Sequence, residues 1–281
     1  MRRLVPLLAA AAAFPLAAQT VPTPASADAV ELAYASHPRQ RIDFTRAARP
    51  GAPLVVFLHG GGWSRGDKSM ATHMAAHFHR RGYAFAAVNY RLVPDADPVA
   101  QAGDAAAAIA HLAANADRLG LDPERIIVIG HSAGAHLAAL IGTDPAYLRH
   151  QRLPMTAIDG VVLLDGAGYD VPAQMRRGGP FLRRLYGNAF GDDPGFQRRV
   201  SPTLHAGAPN AARFLILHIA SRPDDSGAQS RQLAEALRAA GTAAELVEVD
   251  GSHADIFRRF GQQGHVATER TDAFARQLFG R

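Results

Sequence analysis

The chain has 281 residues, 48% of them hydrophobic, with 30 Lys and Arg against 25 Asp and Glu and no cysteine. That apolar share supports a real core and excludes a disordered or collagen-like chain, and the length suits one large domain or two small ones. Zero cysteine excludes a disulfide framework, a thiolate metal site and a cysteine nucleophile, and the +5 net charge comes from scattered arginine pairs that read as solvated surface, not as a nucleic-acid interface.

In chain order, Arg2 and Arg3 precede an uninterrupted apolar stretch from Leu4 to Ala18, and Ala25-Ser26-Ala27 follows as a small-x-small pattern. The stretch falls short of the roughly 18–20 residues that span a bilayer, so residues 1–27 are predicted to be a secretory signal peptide. Cleavage is expected after Ala27, with Ala18 as the second choice. The mature protein would be exported, to the periplasm in a Gram-negative cell, with no stable membrane insertion. Short strands are predicted at Val30–Tyr34 and Arg41–Thr45. Leu54–Leu58 is a continuous apolar run, the mark of a strand buried on both faces of a parallel sheet. A helical segment, Ser69–Arg81, then leads to a strand over Tyr83–Asn89. Pro98–Leu119 reads as an Ala-rich helix ended by Gly120, followed by a strand over Arg125–Ile129, a helix over Ala133–Ile141 and a strand over Val161–Leu164. Phe214–Ile219, Ser226–Ala240 and Glu245–Val249 continue the alternation, which Val266–Phe279 closes as a helix. The pattern predicts an α/β fold, a mainly parallel sheet with helices on both faces, as one domain over residues 28–281. Gly166–Asn210 breaks the rhythm and is too long for an ordinary connection, so it is expected to be a small lid or pocket wall.

The chemistry concentrates at Gly130-His131-Ser132-Ala133-Gly134, a G-x-S-x-G between a strand and a helix. A sharp turn there strains the backbone of Ser132, exposes its Oγ and aims the first amides of the next helix at a reacting carbonyl. His59-Gly60-Gly61-Gly62-Trp63 follows the buried Leu54–Leu58 strand. Its glycines allow backbone amides close to a developing oxyanion, so Gly61, Gly62 and Ala133 are the expected donors. A hydroxyl needs a base to become a nucleophile, and past Ala220 only His253 and His265 remain. His253 lies in a loop after a strand and is the expected base; His265, at the start of the closing helix, reads as a surface residue. The acid belongs on a loop after a preceding strand. Asp225 is slightly favoured over Asp224, with Asp165 and Asp170 as rivals. His73 and His77 have a zinc-compatible spacing but lack the glutamate of H-E-x-x-H, so neither metal nor cofactor is expected. Asp104 reads as a helix-surface group.

With HGGGW and GHSAG in this order, the chain resembles an α/β-hydrolase of the hormone-sensitive-lipase-like or kynurenine-formamidase-like esterase group. Asn89-Tyr90-Arg91-Leu92 and Asp122-Pro123-Glu124-Arg125-Ile126 extend the likeness over most of Leu54–His253. It implies an α/β-hydrolase fold, with Ser132 as nucleophile, His253 as base, Asp224 or Asp225 as acid and Gly61, Gly62 and Ala133 at the oxyanion positions. The chain departs from it at His131, at Ala135 and in the Ser221–Asp225 loop, which lacks the usual Gly-x-x-Asp form. The expected activity is hydrolysis of small or aromatic carboxylic esters through an acyl-enzyme. Trp63, Tyr169, Phe181 and Tyr186 are the candidate pocket residues. Formamide hydrolysis of the N-formylkynurenine type is the alternative within the fold, and a non-catalytic binding protein the alternative outside it. The oligomeric state is open.

Overall fold

The computed structural model describes residues 29–280, apart from Gly178, Ala208 and Pro223 and apart from the side chains at 180–182 and 185. The expected leader and both cleavage points lie outside the described residues. The strands are β1 (Val30–Ala33), β2 (Arg41–Thr45), β3 (Ala52–Leu58), β4 (Ala84–Val88), β5 (Leu121–His131), β6 (Gly160–Leu164), β7 (Arg213–Ile219) and β8 (Ala243–Val249). They form one sheet in the order β1-β2-β4-β3-β5-β6-β7-β8. β1 and β2 run antiparallel at one edge, and the six strands from β4 to β8 are mutually parallel. β3 is apolar and buried along its whole length, and its side chains point alternately to the two faces, so helices must cover both. Leu54, Val56 and Leu58 pack with the Pro98–Ala114 and Ala133–Thr143 helices. Val55 and Phe57 pack with Met74, Phe78, Phe257 and Phe274 on the opposite face.

The expected Pro98–Leu119 helix breaks at Asn115, whose Nδ2 donates to the His111 carbonyl (2.8 Å) and closes the last turn. A short second helix, Ala116–Leu119, then ends at Gly120 with φ of 72°. Asp104, expected on the surface, is buried and accepts from Arg91 Nε (2.9 Å), Arg91 Nη2 (2.7 Å) and Gln40 Nε2 (2.8 Å). The segment after Gly166 holds helices at Val171–Arg177, Pro180–Phe190, Pro194–Arg199 and Pro202–His205. Its prolines do not make it irregular, because Pro180, Pro194 and Pro202 each sit at a helix start, where the missing N–H costs nothing.

Candidate active site

The carboxyl ends of the parallel strands converge on one crevice, the place where open α/β sheets take ligands. β5 ends at His131 and the next helix starts at Ala133, leaving Ser132 at φ 55° and ψ −119°. Such a backbone costs a non-glycine residue roughly 1–3 kcal/mol, held here between the buried end of β5 and the buried helix that follows. The flanking glycines are what permit the turn. A Cβ on Gly130 would lie 2.2 Å from the Gly134 carbonyl oxygen, and one on Gly134 would lie 2.1 Å from that of Leu58.

His253, in the loop after β8, comes to Ser132 as expected. Ser132 Oγ and His253 Nε2 are 3.0 Å apart, and His253 Nδ1 is 2.5 Å from Asp165 Oδ2. An ionised carboxylate only accepts, so Nδ1 carries the proton and Nε2 is free to accept from the serine hydroxyl. The His131 ring stacks between His253 (4.8 Å) and Phe257 (5.0 Å), and His131 Nε2–H donates to the His253 carbonyl (3.0 Å). Burial, and then the neighbouring imidazole, push the His131 pKa down to about 3, so this ring is a neutral prop under the base. His265, read from sequence as a surface residue, is buried, with Nδ1 2.9 Å from Thr268 Oγ1. His73 and His77 pair with the Phe257 carbonyl and the Asp272 carboxylate.

The carboxylate against His253 is that of Asp165, and neither favoured candidate, Asp225 or Asp224, is placed there. Asp165 stands just past β6 at φ 49° with no exposed surface. Its Oδ1 accepts the Ile219 amide (2.9 Å), and its Oδ2 accepts both His253 Nδ1 and Arg222 Nη1 (2.8 Å). Burial works to raise its pKa, but the His253 hydrogen bond, the Arg222 charge and the Ile219 amide outweigh it and hold the carboxyl below its ordinary range. Asp225 has a left-handed backbone and pairs outward with Arg177 (3.1 Å). Asp224 faces Arg222, accepting from its Nε (3.0 Å) and pairing with its Nη2. Asp170 accepts from the Ala173 amide at the start of a helix. The reason is tertiary: after β7 the chain presents a guanidinium toward His253, and the neighbouring strand supplies the carboxylate.

The crevice encloses about 390 Å³ and is lined by Gly61, Gly62, Ala133 and Ser132 together with His253, Arg222 and Asp224. Gly61 (φ 128°) and Gly62 (φ 59°) have backbones suited to glycine, and their amides donate to no backbone carbonyl among the described residues. These amides, with that of Ala133 at a helix start, can stabilise negative charge beside Ser132. Of the pocket candidates, Trp63 and Tyr186 line the crevice. Trp63 is fixed by its Nε1–H on His136 Nδ1 (3.2 Å) and by packing on Phe190 (4.6 Å between centroids). Tyr169 does not reach the crevice. It is fully buried, its hydroxyl filling the space a Gly166 side chain would need. The Phe181 side chain lies outside the described residues. Sequence reasoning missed the props beneath the glycine loop. Tyr90 donates to the His59 carbonyl (2.6 Å), Arg39 Nη2 to that of Gly66 (2.8 Å), and Asn89 Nδ2 to Asp67 (2.7 Å). The Asn89-Tyr90 pair of the resemblance was the signal for two of these.

A family model described as BD-FAE matches residues 42–237. Among curated proteins, the chain is 29% identical over 243 residues to esterase LipQ of Mycobacterium tuberculosis, an alignment covering 82% of this chain and 56% of that protein. It is 27% identical to the isoprenylcysteine alpha-carbonyl methylesterase ICME of Arabidopsis thaliana, covering 80% of this chain and 56% of that protein. The chain thus spans about 56% of the length of these relatives. Among solved structures, Thermogutta terrifontis esterase 2 phosphonylated by sarin superposes with a TM-score of 0.75 at 24% identity, covering 91% of this chain and 97% of that one. Its apo form gives 0.72 at 25% identity, covering 92% and 96%. The fold is shared over nearly the whole length of both molecules.

Proposed function

Starting from a chain that belongs to the BD-FAE family and has the α/β-hydrolase fold, we propose that it is a serine carboxylesterase acting through an acyl-enzyme on Ser132. The observation that carries this reading is the unbroken contact from Ser132 Oγ through His253 to the buried Asp165. In the forward step His253 Nε2 takes the serine proton as Oγ bonds to the ester carbonyl carbon. The carbonyl oxygen becomes an oxyanion facing the amides of Gly61, Gly62 and Ala133. Collapse breaks the bond to the leaving alcohol, which receives the proton from Nε2. Water then repeats the sequence on the acyl-serine and releases the acid. Asp165 keeps Nδ1 protonated and stabilises the imidazolium. These steps need no cofactor.

The relatives' printed names, esterase and methylesterase, support ester chemistry. The Trp63 and Tyr186 rings beside the crevice support small or aromatic esters over long-chain lipids. Export to the periplasm is proposed from Arg2, Arg3 and the apolar stretch after them, and sequencing the amino terminus of secreted material tests it. The main test is fluorophosphonate labelling of the wild type against Ser132→Ala and His253→Ala. Labelling lost in both variants is expected, and an unlabelled wild type at neutral pH refutes the reading. Parallel turnover of p-nitrophenyl acetate, a longer-chain ester and N-formylkynurenine separates ester from formamide chemistry.

A further inference from the structure

The group most out of place at this site is Arg222. Its side chain is 16% exposed and is wedged between two carboxylates and the base. Nη1 donates to Asp165 Oδ2 (2.8 Å) and to the Asp165 carbonyl (3.0 Å), while Nε and Nη2 engage Asp224. Nη1 and His253 Nδ1 therefore donate side by side to one oxygen, and they stand 3.0 Å apart. Two effects follow with opposite consequences for the reaction. A carboxylate with no solvent of its own stays ionised and correctly aimed only if other groups hold it, and Arg222 clamps both its side chain and its backbone. The same guanidinium places positive charge against the ring that must become an imidazolium.

We propose that Arg222 is a positioning residue that locks Asp165 onto His253 and sets a positive charge against the His253 ring, with Asp224 offsetting part of that charge. The inference rests on the serine-esterase reading above. Charged and titratable groups reach His253 from several elements. Asp165 comes from β6, Arg222 with Asp224 from the loop after β7, and neutral His131 from β5. The half-buried Asp255, at the start of the short helix Asp255–Arg258, is engaged by Ser252 Oγ (2.6 Å). Arg222 and Asp224 oppose each other in sign, so removing one charge and removing the other must shift the pH dependence in opposite directions. A residue that merely fills space produces no such pair of shifts.

The test is kcat and KM for p-nitrophenyl acetate between pH 5.5 and 9 in the wild type, Arg222→Met, Arg222→Lys and Asp224→Asn, with a melting temperature for each. Arg222→Met is expected to lower kcat about tenfold or more with little change in KM, and to move the acid limb of kcat/KM up by roughly one pH unit. Asp224→Asn is expected to move that limb down by roughly half a unit, and Arg222→Lys to leave it near the wild type. Limbs that stay put, or that move the same way in Arg222→Met and Asp224→Asn, overturn the inference. If Arg222→Met fails to fold, Asp224→Asn decides alone, since a limb that does not move down refutes the charge balance. Fluorophosphonate labelling keeps the two readings apart. A labelled wild type with unmoved limbs rejects the Arg222 inference only, whereas an unlabelled wild type rejects the esterase reading itself.

Discussion

Replacing Asp165 by Asn is the sharpest perturbation of the proposed mechanism, because it preserves shape and changes only which atoms can accept. The Asn carbonyl can take the place of Oδ1 and keep the Ile219 amide, now 2.9 Å away. Its NH₂ then replaces Oδ2, which today accepts from both His253 Nδ1 and Arg222 Nη1. An NH₂ can only donate, so Nδ1 must become an acceptor and the ring proton moves to Nε2, where it faces Ser132 and blocks proton removal. Loss of the correct tautomer and of imidazolium stabilisation costs about 10³–10⁴ in kcat, or roughly 4–5.5 kcal/mol of barrier. Asp225→Asn removes only the pair with Arg177, whose side chains are 54% and 29% exposed, a contact worth at most about 1 kcal/mol of stability. Its kcat should stay within about twofold of the wild type. Steady-state turnover of p-nitrophenyl acetate by both variants, with melting temperatures to confirm folding, makes the comparison. The reasoning fails if folded Asp165→Asn keeps more than about a tenth of wild-type kcat, or if Asp225→Asn loses about a hundredfold.

Acid should destabilise the fold through its buried imidazoles. Burial holds His59 and His136 down to about 4 and His131 down to about 3, so below pH 6.5 the unfolded chain binds protons the folded one refuses. Stability is then full above pH 6.5 and falls as pH drops, levelling off only near pH 4 and 3; at pH 5 each ring accounts for up to about 2 kcal/mol. A melting temperature at pH 5 about 10 °C or more below that at pH 7.5 is expected, and equal values would contradict it. Gly134→Ala puts a Cβ 2.1 Å from the Leu58 carbonyl oxygen and should cost about 3 kcal/mol or more, read as a large fall in melting temperature or as insoluble protein. Trp63→Ala should cost about 3–5 kcal/mol by opening the packing on Phe190 and Tyr186 and leaving His136 Nδ1 without its donor. In a panel of acyl esters, its relative kcat/KM should move toward bulkier acyl groups, and an unchanged ranking would remove Trp63 from the pocket wall.

Local chemistry made much of this molecule legible from the chain alone. The apolar run at Leu54–Leu58, the strand–turn–helix around Ser132 and the glycines after His59 are short-range patterns whose geometry follows from backbone sterics. Ser132 and His253 could be named because only a few residues of the right chemistry occur in the right order. The acid could not be settled that way. Several carboxylates lie after strands, and which one meets His253 depends on the side chain that the neighbouring strand presents. Arg222 closes the loop after β7 to an acid of its own by pairing with Asp224, and β6 brings Asp165 to the ring from 88 positions away in sequence. Likewise Tyr169 carries the aromatic character expected of a pocket wall, yet Gly166 leaves it room to turn into the core. Sequence determined the strand rhythm and the elbow, each written within a few consecutive residues, and singled out Ser132 and His253 by residue type and chain order. Tertiary structure decided the acid, the guanidinium beside it and the props under the glycine loop, because those contacts exist only where separate strands end side by side.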